Sequence, residues 1–412
     1  RRVVVTGISF LSCAGNDIDT FWKAVTDGKS GISHVESFDT EKYSVKIGGE
    51  VKDFVPENYG ISKKDARRMD RFVQFASAGS YMAIQDSGID FEKEDPYRTG
   101  VVIGSGIGGM HTFESQHASL IENGPDRVSP FFIPMMISNM ASGNVAIRFG
   151  LKGPNYSIVS ACATGCHSIA DSYHIIKRGD ADVMITGGSE STVTPMAVAG
   201  FENMKATASS FNDCPEKASR PFDLNRAGFV MSEGCGILIL EELSHAKARN
   251  AKIYGEVVGC GMTADAYHIT STSPDGAGGA AAMKMAIKNA GISPDDIDYI
   301  NAHGTSTPVG DKAETLGIKS VFGERAYDIL ISSSESVFGH NLGAAGALES
   351  IVCLLALKHG VVPPTANYET PDPECDLNYV PNVAVKKDIK YAINNSFGFG
   401  GQNAVLIFKK YE

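Results

Sequence analysis

The chain has 412 residues, of which 43% are hydrophobic and 21% charged, a composition typical of a globular protein with a large core. Its net charge of −11 argues against general nucleic-acid binding, and no apolar run indicates a membrane span. The eight cysteines form no Cys-x-x-Cys pair, so neither a zinc site nor a disulfide framework is indicated. We expect a reducing, cytoplasmic location without a signal peptide.

In the first half, short apolar strands alternate with helices, which predicts a largely parallel α/β sheet covered on both faces. The predicted strands lie at 3–8, within 100–109, from 156, and at 181–188 and 236–241. Helices are expected at 20–27, where Gly28 follows, and at 62–85. The Gly-rich turn after the second strand only loosely resembles a dinucleotide-binding motif.

Cys162 follows the segment that begins at Tyr156, which we predict to be a buried strand running directly into a helix. Small residues open that helix, and Lys177-Arg178-Gly179 end it. A cysteine at such a helix N-terminus is favoured as thiolate, so Cys162 is the candidate nucleophile. A buried structural cysteine is the alternative.

The second half repeats this order from about residue 250, which predicts an internal duplication with halves 1–250 and 251–412. The segments 162–179 and 343–360 have the same length and the same pattern of small residues and a basic-Gly end. A pseudo-twofold arrangement would bring Cys162 to His303 and His340. A nucleophile with two histidines indicates covalent catalysis. Metal binding by His303, His340 and His268 lacks any supporting ligand spacing.

Several motifs, taken together and in order, resemble the β-ketoacyl-acyl-carrier-protein synthases of the type II group in the thiolase superfamily. The resemblance covers essentially the whole chain. It rests on 161–165 (ACATG), 220–223 (RPFD), 265–270 (DAYHIT), 301–307 (NAHGTST), 339–346 (GHNLGAAG) and 395–401 (NSFGFGG).

The resemblance implies a thiolase-like fold, with duplicated βαβαβαββ halves forming a five-layered αβαβα core. It further implies that Cys162 carries an acyl chain and that malonyl carrier protein is decarboxylated to an enolate. In this reading His303 and His340 stabilise the enolate, and the backbone N–H groups of Cys162 and Phe399 stabilise the oxyanion of the condensation step. No cofactor is expected beyond the phosphopantetheine of the acyl carrier protein.

The remaining expected site residues fall into groups by role. The residues expected to hold the pantetheine arm are Thr270, Ser271, Thr305 and Thr307. Those expected to line the acyl pocket are Ile107, Phe132, Ile137, Val193, Val198 and Phe201. The carboxylates expected to lie behind the catalytic residues are Glu335, Glu349, Asp265 and Glu314. Docking of the acidic carrier protein is assigned to Lys63, Lys64, Arg67, Arg68, Arg127 and Lys205.

One residue departs from the family pattern, because Glu335 stands where the family usually has lysine. Phe338 similarly replaces a small residue. Since Glu335 would face Glu349, we expect a raised pKa for one of the two carboxyls or a balancing cation. The departure favours a specialised polyketide or polyene branch over ordinary fatty-acid elongation.

Two other functions stay open at this level, and each has a distinguishing feature. A non-catalytic chain-length partner of a ketosynthase heterodimer typically lacks the nucleophilic cysteine that Cys162 supplies. A coenzyme A-dependent thiolase would use a second cysteine near the C-terminal Gly-rich turn, and residues 395–401 contain none. The expected assembly is a homodimer or a heterodimer with a related chain.

Overall fold

The computed structural model describes residues 1–412, with fourteen strands and thirteen α-helices. The strands are β1 Val3–Leu11, β2 Ser33–His34, β3 Ile47–Gly48, β4 Thr99–Gly104, β5 Asn155–Tyr156, β6 Val183–Glu190, β7 Gly234–Glu242, β8 Gly255–Ala264, β9 Tyr299–Asn301, β10 Leu330–Ser332, β11 Val361–Val362, β12 Val385–Lys386, β13 Tyr391–Gly398 and β14 Gln402–Lys409. The helices are α1 Ile18–Asp27, α2 Lys63–Ala66, α3 Arg71–Ser87, α4 Met110–Asn123, α5 Phe132–Met136, α6 Met140–Phe149, α7 Thr164–Arg178, α8 Pro195–Asn203, α9 Leu243–Ala248, α10 Ala277–Ala290, α11 Pro308–Phe322, α12 Glu335–Phe338 and α13 Ala345–His359.

The main sheet has the same strand order on both sides of its centre. Its ten strands run β10-β9-β13-β14-β8-β1-β7-β6-β4-β5. In each set of five, the outer strands pair in parallel and the inner strands pair antiparallel. The prediction of a largely parallel sheet is therefore wrong, because the central strands pair antiparallel and the sheet is mixed. The sets meet only where Val3–Val5 of β1 pair with Gly255–Val257 of β8. This symmetry is the internal duplication that the sequence predicts.

Helices cover both faces of each half-sheet. The three helical layers and the two half-sheets together form five layers. Helices α3 and α6 pack on the outer face of the first half-sheet, and α10 and α11 lie on the outer side of the second. Helices α7 and α13 pack against each other between the half-sheets. The largest hydrophobic cluster surrounds these two central helices. Apolar side chains therefore enclose the helices that position the site.

The two central helices begin with the same strained turn. A 3₁₀ turn at Ala161–Ala163 precedes α7, and one at Leu342–Ala344 precedes α13. Ala161 and Leu342 have φ angles of 49° and 47°, in the left-handed region that residues with a Cβ rarely adopt. Such strain is typical of functional turns and is maintained by the surrounding packing.

Two predicted elements are wrong in detail. The expected helix at 62–85 is two helices, because Asp70 caps α3 with its side chain and breaks the run. The expected buried strand before Cys162 is only the two-residue edge strand β5, and Val159 is 57% exposed. This segment leaves the sheet edge to form the turn at Ala161, which periodicity cannot reveal.

Contrary to the expectation from the sequence, one helical stretch, Leu342–His359, is long and apolar enough to cross a membrane by length and composition. However, 89% of it is buried inside the protein. Its composition fits the interior position of α13 between the two half-sheets.

Candidate active site

The Ala161 turn presents Cys162 at the base of α7, with the end of β13 packed against it. The Oγ of Ser396 donates to the Cys162 carbonyl at 3.0 Å. A Cβ on Gly398 would lie 3.1 Å from the Cys162 nitrogen and 2.6 Å from the Ser160 oxygen. Only glycine therefore fits at this point, and its position brings the Phe399 backbone close to the nucleophile.

His340 is fixed by backbone bonds that hold its ring against Cys162. Its N–H donates to the Val230 oxygen at 2.7 Å, and its carbonyl accepts from the Ser232 N–H at 2.9 Å. Nε2 of the ring is 2.9 Å from Cys162 Sγ, and Nδ1 is 2.6 Å from Glu335 Oε1. The three side chains thus form a continuous chain of polar contacts.

His303 follows β9 and completes the cluster. Its backbone N–H and that of Gly304 donate to the Glu314 carboxylate at 2.9 and 2.8 Å. The ring centroid of His303 is 5.5 Å from that of His340. Burial, together with the His340 charge, holds the pKa of His303 well below its usual value. A neutral imidazole with one N–H is suited to donate to a developing oxyanion.

Glu335 and Glu349 are both fully buried beside the histidines. Burial raises the pKa of each carboxyl well above its usual value, and the Glu335 charge raises that of Glu349 further. Glu335 Oε2, both Glu349 oxygens and His303 Nδ1 have no hydrogen-bond partner. One ligating atom from each of these three residues lies within 4.8 Å of the others. The expected absence of a metal stays a prediction.

The other two supporting carboxylates also lie at the site. Burial raises the pKa of Glu314 to about 7, although it accepts three hydrogen bonds. Asp265 accepts from Asn403 Nδ2 at 2.7 Å and from the Ser273 N–H at 3.0 Å. His268, the third histidine considered for a metal, instead accepts from its own loop at the Thr270 N–H.

A cavity of about 470 Å³ contains Cys162, His303 and His340 in its lining. The four hydroxyl residues predicted to hold the pantetheine arm all line it, as do Phe399, Asp265 and Glu314; they are Thr270, Ser271, Thr305 and Thr307. Of the six residues predicted for the acyl pocket, only Phe201 lines this cavity. Val193 and Val198 are buried outside this lining, although Val198 belongs to the same hydrophobic cluster as Cys162. Ile107 and Ile137 are exposed, and Phe132 is half-buried.

Two residues in the cavity lining, Phe229 and Phe397, were not among the predicted site residues. Phe229 packs its ring edge-on against His340 at 5.2 Å, and Phe397 packs against His303 at 5.7 Å. Phe397 lies inside a recognisable motif, so its position could have been inferred. Phe229 is an apolar residue in an irregular segment, and the neighbouring residues in the sequence do not distinguish it from an ordinary core residue.

The six residues predicted to dock a carrier protein are all exposed. Four of them lie on α2 or just after it, and Arg68 stacks over the ring of Phe131 at 4.7 Å. Lys205 lies separately, in the lining of the active-site cavity. Arg127 lies in a third place, the 3₁₀ turn Pro125–Arg127 that follows α4. The cations are therefore available at the basic α2 segment, at this turn and in the cavity.

Comparison with known proteins identifies the same family over both halves of the chain. The family described as "Beta-ketoacyl synthase, N-terminal domain" matches residues 1–246, and "Beta-ketoacyl synthase, C-terminal domain" matches residues 254–369. A 3-oxoacyl-[acyl-carrier-protein] synthase 2 of Staphylococcus aureus is 53% identical, over 100% of this chain and 99% of its own. The Vibrio harveyi protein of the same name is 51% identical over 100% of this chain and 99% of its own.

Solved structures agree closely with the fold. A ketosynthase chain from a type II PKS, solved with its acyl-carrier protein, matches with a TM-score of 0.93 and 35% identity, covering 100% of both chains. A chain of the ishigamide ketosynthase/chain length factor matches with a TM-score of 0.93 and 33% identity at the same coverage. The predicted thiolase-like fold is confirmed.

The five-layered duplicated fold with a cysteine at the central turn defines an acyltransferase of the thiolase-like class. The chain belongs to the β-ketoacyl synthase family, as its sequence predicts. It is an enzyme that synthesises β-ketoacyl chains, and the thiolase and non-catalytic alternatives are not favoured.

Proposed function

We propose that this chain condenses an acyl group held on Cys162 with a malonyl group delivered by acyl carrier protein, with release of CO₂. The observation that carries the proposal is the 2.9 Å contact between Cys162 Sγ and His340 Nε2 in the lining of the cavity. A chain-length partner has no need of a nucleophile paired with a base.

In the first step the Cys162 sulfur attacks the carbonyl of the incoming thioester and releases the carrier thiol. The oxyanion of the tetrahedral intermediate is assigned to the backbone N–H groups of Cys162 and Phe399. The fit of Gly398 against Cys162 supports this assignment, because it brings those two backbone segments together.

In the second step the malonyl thioester carbonyl takes the place beside the histidines. Decarboxylation leaves an enolate, and neutral His303 donates an N–H to its oxygen. The enolate carbon then attacks the acyl-Cys162 carbonyl and forms the new carbon–carbon bond. The lowered pKa of His303 supports a neutral donor in this step.

The hydroxyls of Thr270, Ser271, Thr305 and Thr307 are suited to hold the phosphopantetheine arm in the cavity. The arm arrives with the carrier, so the protein needs no cofactor of its own. The basic α2 segment is the proposed dock for the acidic carrier. An acyl-carrier protein complex of a similar ketosynthase supports this partner.

We further propose that the chain acts as a dimer. The edge strand β5 is exposed, and apolar side chains of the surrounding segments face solvent, namely Ile133, Ile137, Ile147 and Val159. A second copy or a related chain would cover them. This would also place Ile107 and Phe132 at an interface, consistent with their exposure in the single chain. The specialised polyketide or polyene branch stays a prediction.

The test is single-turnover condensation with acyl and malonyl carrier proteins. We expect acyl transfer to the wild-type protein and then CO₂ release, and neither acyl enzyme nor condensation product with Cys162→Ala. A wild-type protein that neither accepts an acyl group nor releases CO₂ would contradict the proposal.

A further inference from the structure

Glu335 lies behind His340 in the position that a carboxylate occupies in a nucleophile–histidine–carboxylate triad. Sγ of Cys162 contacts Nε2, and Nδ1 contacts Glu335 Oε1 at 2.6 Å. Cys162, His340 and Glu335 are exposed by only 8%, 2% and 0%. Water therefore does not compete for these contacts, and the two ring nitrogens have one partner each.

The backbone explains how residues five apart reach each other. Glu335 opens the short helix α12, and Gly339 reverses the chain with a φ of 70°. The bridge between Met231 and His340 then fixes the direction of the ring. The Glu335 carboxylate consequently contacts the imidazole of His340, on the side of the ring that faces away from Cys162.

The chemistry of residue 335 decides which nitrogen of His340 carries the proton. When ionised, Glu335 only accepts hydrogen bonds, so it then requires a proton on Nδ1 of His340 and leaves the Nε2 lone pair for the Cys162 thiol. The lysine usual in this family is a donor only and could not accept from Nδ1. The substitution at this position therefore changes the task available to His340.

Glu349 is a second fully buried carboxyl beside Glu335. Two ionised carboxylates in a buried site repel, so one of them keeps a proton. Glu335 Oε1 has a polar partner in His340 Nδ1, whereas Glu349 has no partner for either oxygen. Glu335 is therefore the carboxyl whose charge a neighbouring N–H can stabilise. A proton on Glu349 that is donated to Glu335 Oε2 would give a partner to that oxygen and to one of the two Glu349 oxygens. The other titratable groups near the pair are His303, Asp311 and Glu314, with Cys166, Tyr299 and Cys353 beside Glu349. None of them offers a competing positive charge.

We propose that Glu335 is a positioning residue that holds His340 with its proton on Nδ1, so that His340 acts as the base for Cys162 during acyl loading. The thiol proton moves to Nε2 while sulfur bonds to the acyl carbon. The bond from that carbon to the carrier sulfur breaks, and the departing thiolate takes the proton back from Nε2. The exchange needs no further reactant.

A division of labour between the histidines follows. His340 in this tautomer offers no N–H at Nε2 to a malonyl carbonyl, so His303 is the enolate donor. This inference rests on the proposed function and adds to it a separate role for residue 335 in loading.

The test separates loading from decarboxylation in Glu335→Gln. Acyl transfer to Cys162 should slow by about 100-fold, the usual contribution of a general base. CO₂ release from malonyl carrier protein, measured after loading has been driven to completion, should change by less than about threefold. Glu50→Gln is a control for loss of a buried carboxylate, since Glu50 caps the backbone at Glu36 and Ser37 outside the cavity lining.

A second measurement does not depend on the folding of a variant. Nitrogen-15 NMR of the His340 ring in the wild-type protein should show the proton on Nδ1. A proton on Nε2 in the wild type, or normal loading by Glu335→Gln, would overturn the inference while the wild type still condenses. Failure of the proposed function is distinct, since the wild type would then not condense at all.

Discussion

Gly165 of α7 lies directly against Ala347 of α13, in the middle of the molecule. A Cβ on Gly165 would lie 2.7 Å from the Ala347 nitrogen and 3.1 Å from its Cβ. The two central helices can approach this closely only because both residues are small. This contact holds the Cys162 turn of one half against the corresponding turn of the other.

Gly165→Ala should destabilise the protein, because the added methyl group meets backbone that cannot move aside. We expect a loss of about 1–3 kcal/mol in the free energy of unfolding, measured by denaturant titration. Gly200→Ala is the matched control, since Gly200 also lies in a helix but has open space around it. An equal effect of the two substitutions would show that the close approach is unimportant.

His303→Ala should lower malonyl decarboxylation by about 100-fold, the usual loss on removal of one oxyanion donor. Acyl loading on Cys162 should be largely retained, because His303 is not the residue that contacts the sulfur. Decarboxylation by the variant at the wild-type rate would remove His303 from the mechanism.

The pH dependence of decarboxylation by loaded enzyme should reflect the lowered pKa of His303. A histidine whose folded pKa lies below its usual value stays neutral as the pH falls through 6.5, the ordinary value for imidazole. The rate should therefore remain level between about pH 8 and pH 6. A decline centred on the ordinary histidine pKa would indicate that His303 is not shielded.

Phe399→Ala should alter the order of substrate entry more than the stability of the fold. The ring of Phe399 is 6.3 Å from that of Phe201 in the cavity, and glycines flank it on both sides. Such freedom allows a gating side chain to swing. We expect malonyl carrier protein to be decarboxylated before loading in this variant, with thermal unfolding unchanged. Unaltered kinetics would argue against a gate.

Charge reversal at Lys63 and Arg67 should raise the KM for carrier-bound substrates, and salt should reduce the difference from wild type. Small thioester substrates should be unaffected, because they do not need a docking surface. Lys288→Glu, an exposed reversal on α10, serves as the control. Equal effects on carrier-bound and small substrates would exclude docking by α2.

The sequence predicted the duplication and the meeting of Cys162 with two histidines because motif order and helix length survive in the primary structure. It missed the Cys162–His340–Glu335 alignment, since the turn at Gly339 and the bridge to Met231 set the direction of the ring. The turn at Cys162 before a helix was predicted and is confirmed, but the left-handed backbone of Ala161 was missed, because a positive φ at alanine has no compositional mark. Phe229 reaches His340 only through tertiary packing.

The most direct test of the account is mass spectrometry of the protein after reaction with acyl carrier protein, followed by proteolysis. The acyl group should be found on the peptide containing Cys162, and iodoacetamide should block both loading and condensation by modifying that thiol. Cys166 is the internal comparison, because burial raises the pKa of its thiol well above the usual value. Acylation of Cys166 with Cys162 unmodified, or condensation by a protein fully alkylated at Cys162, would contradict the account.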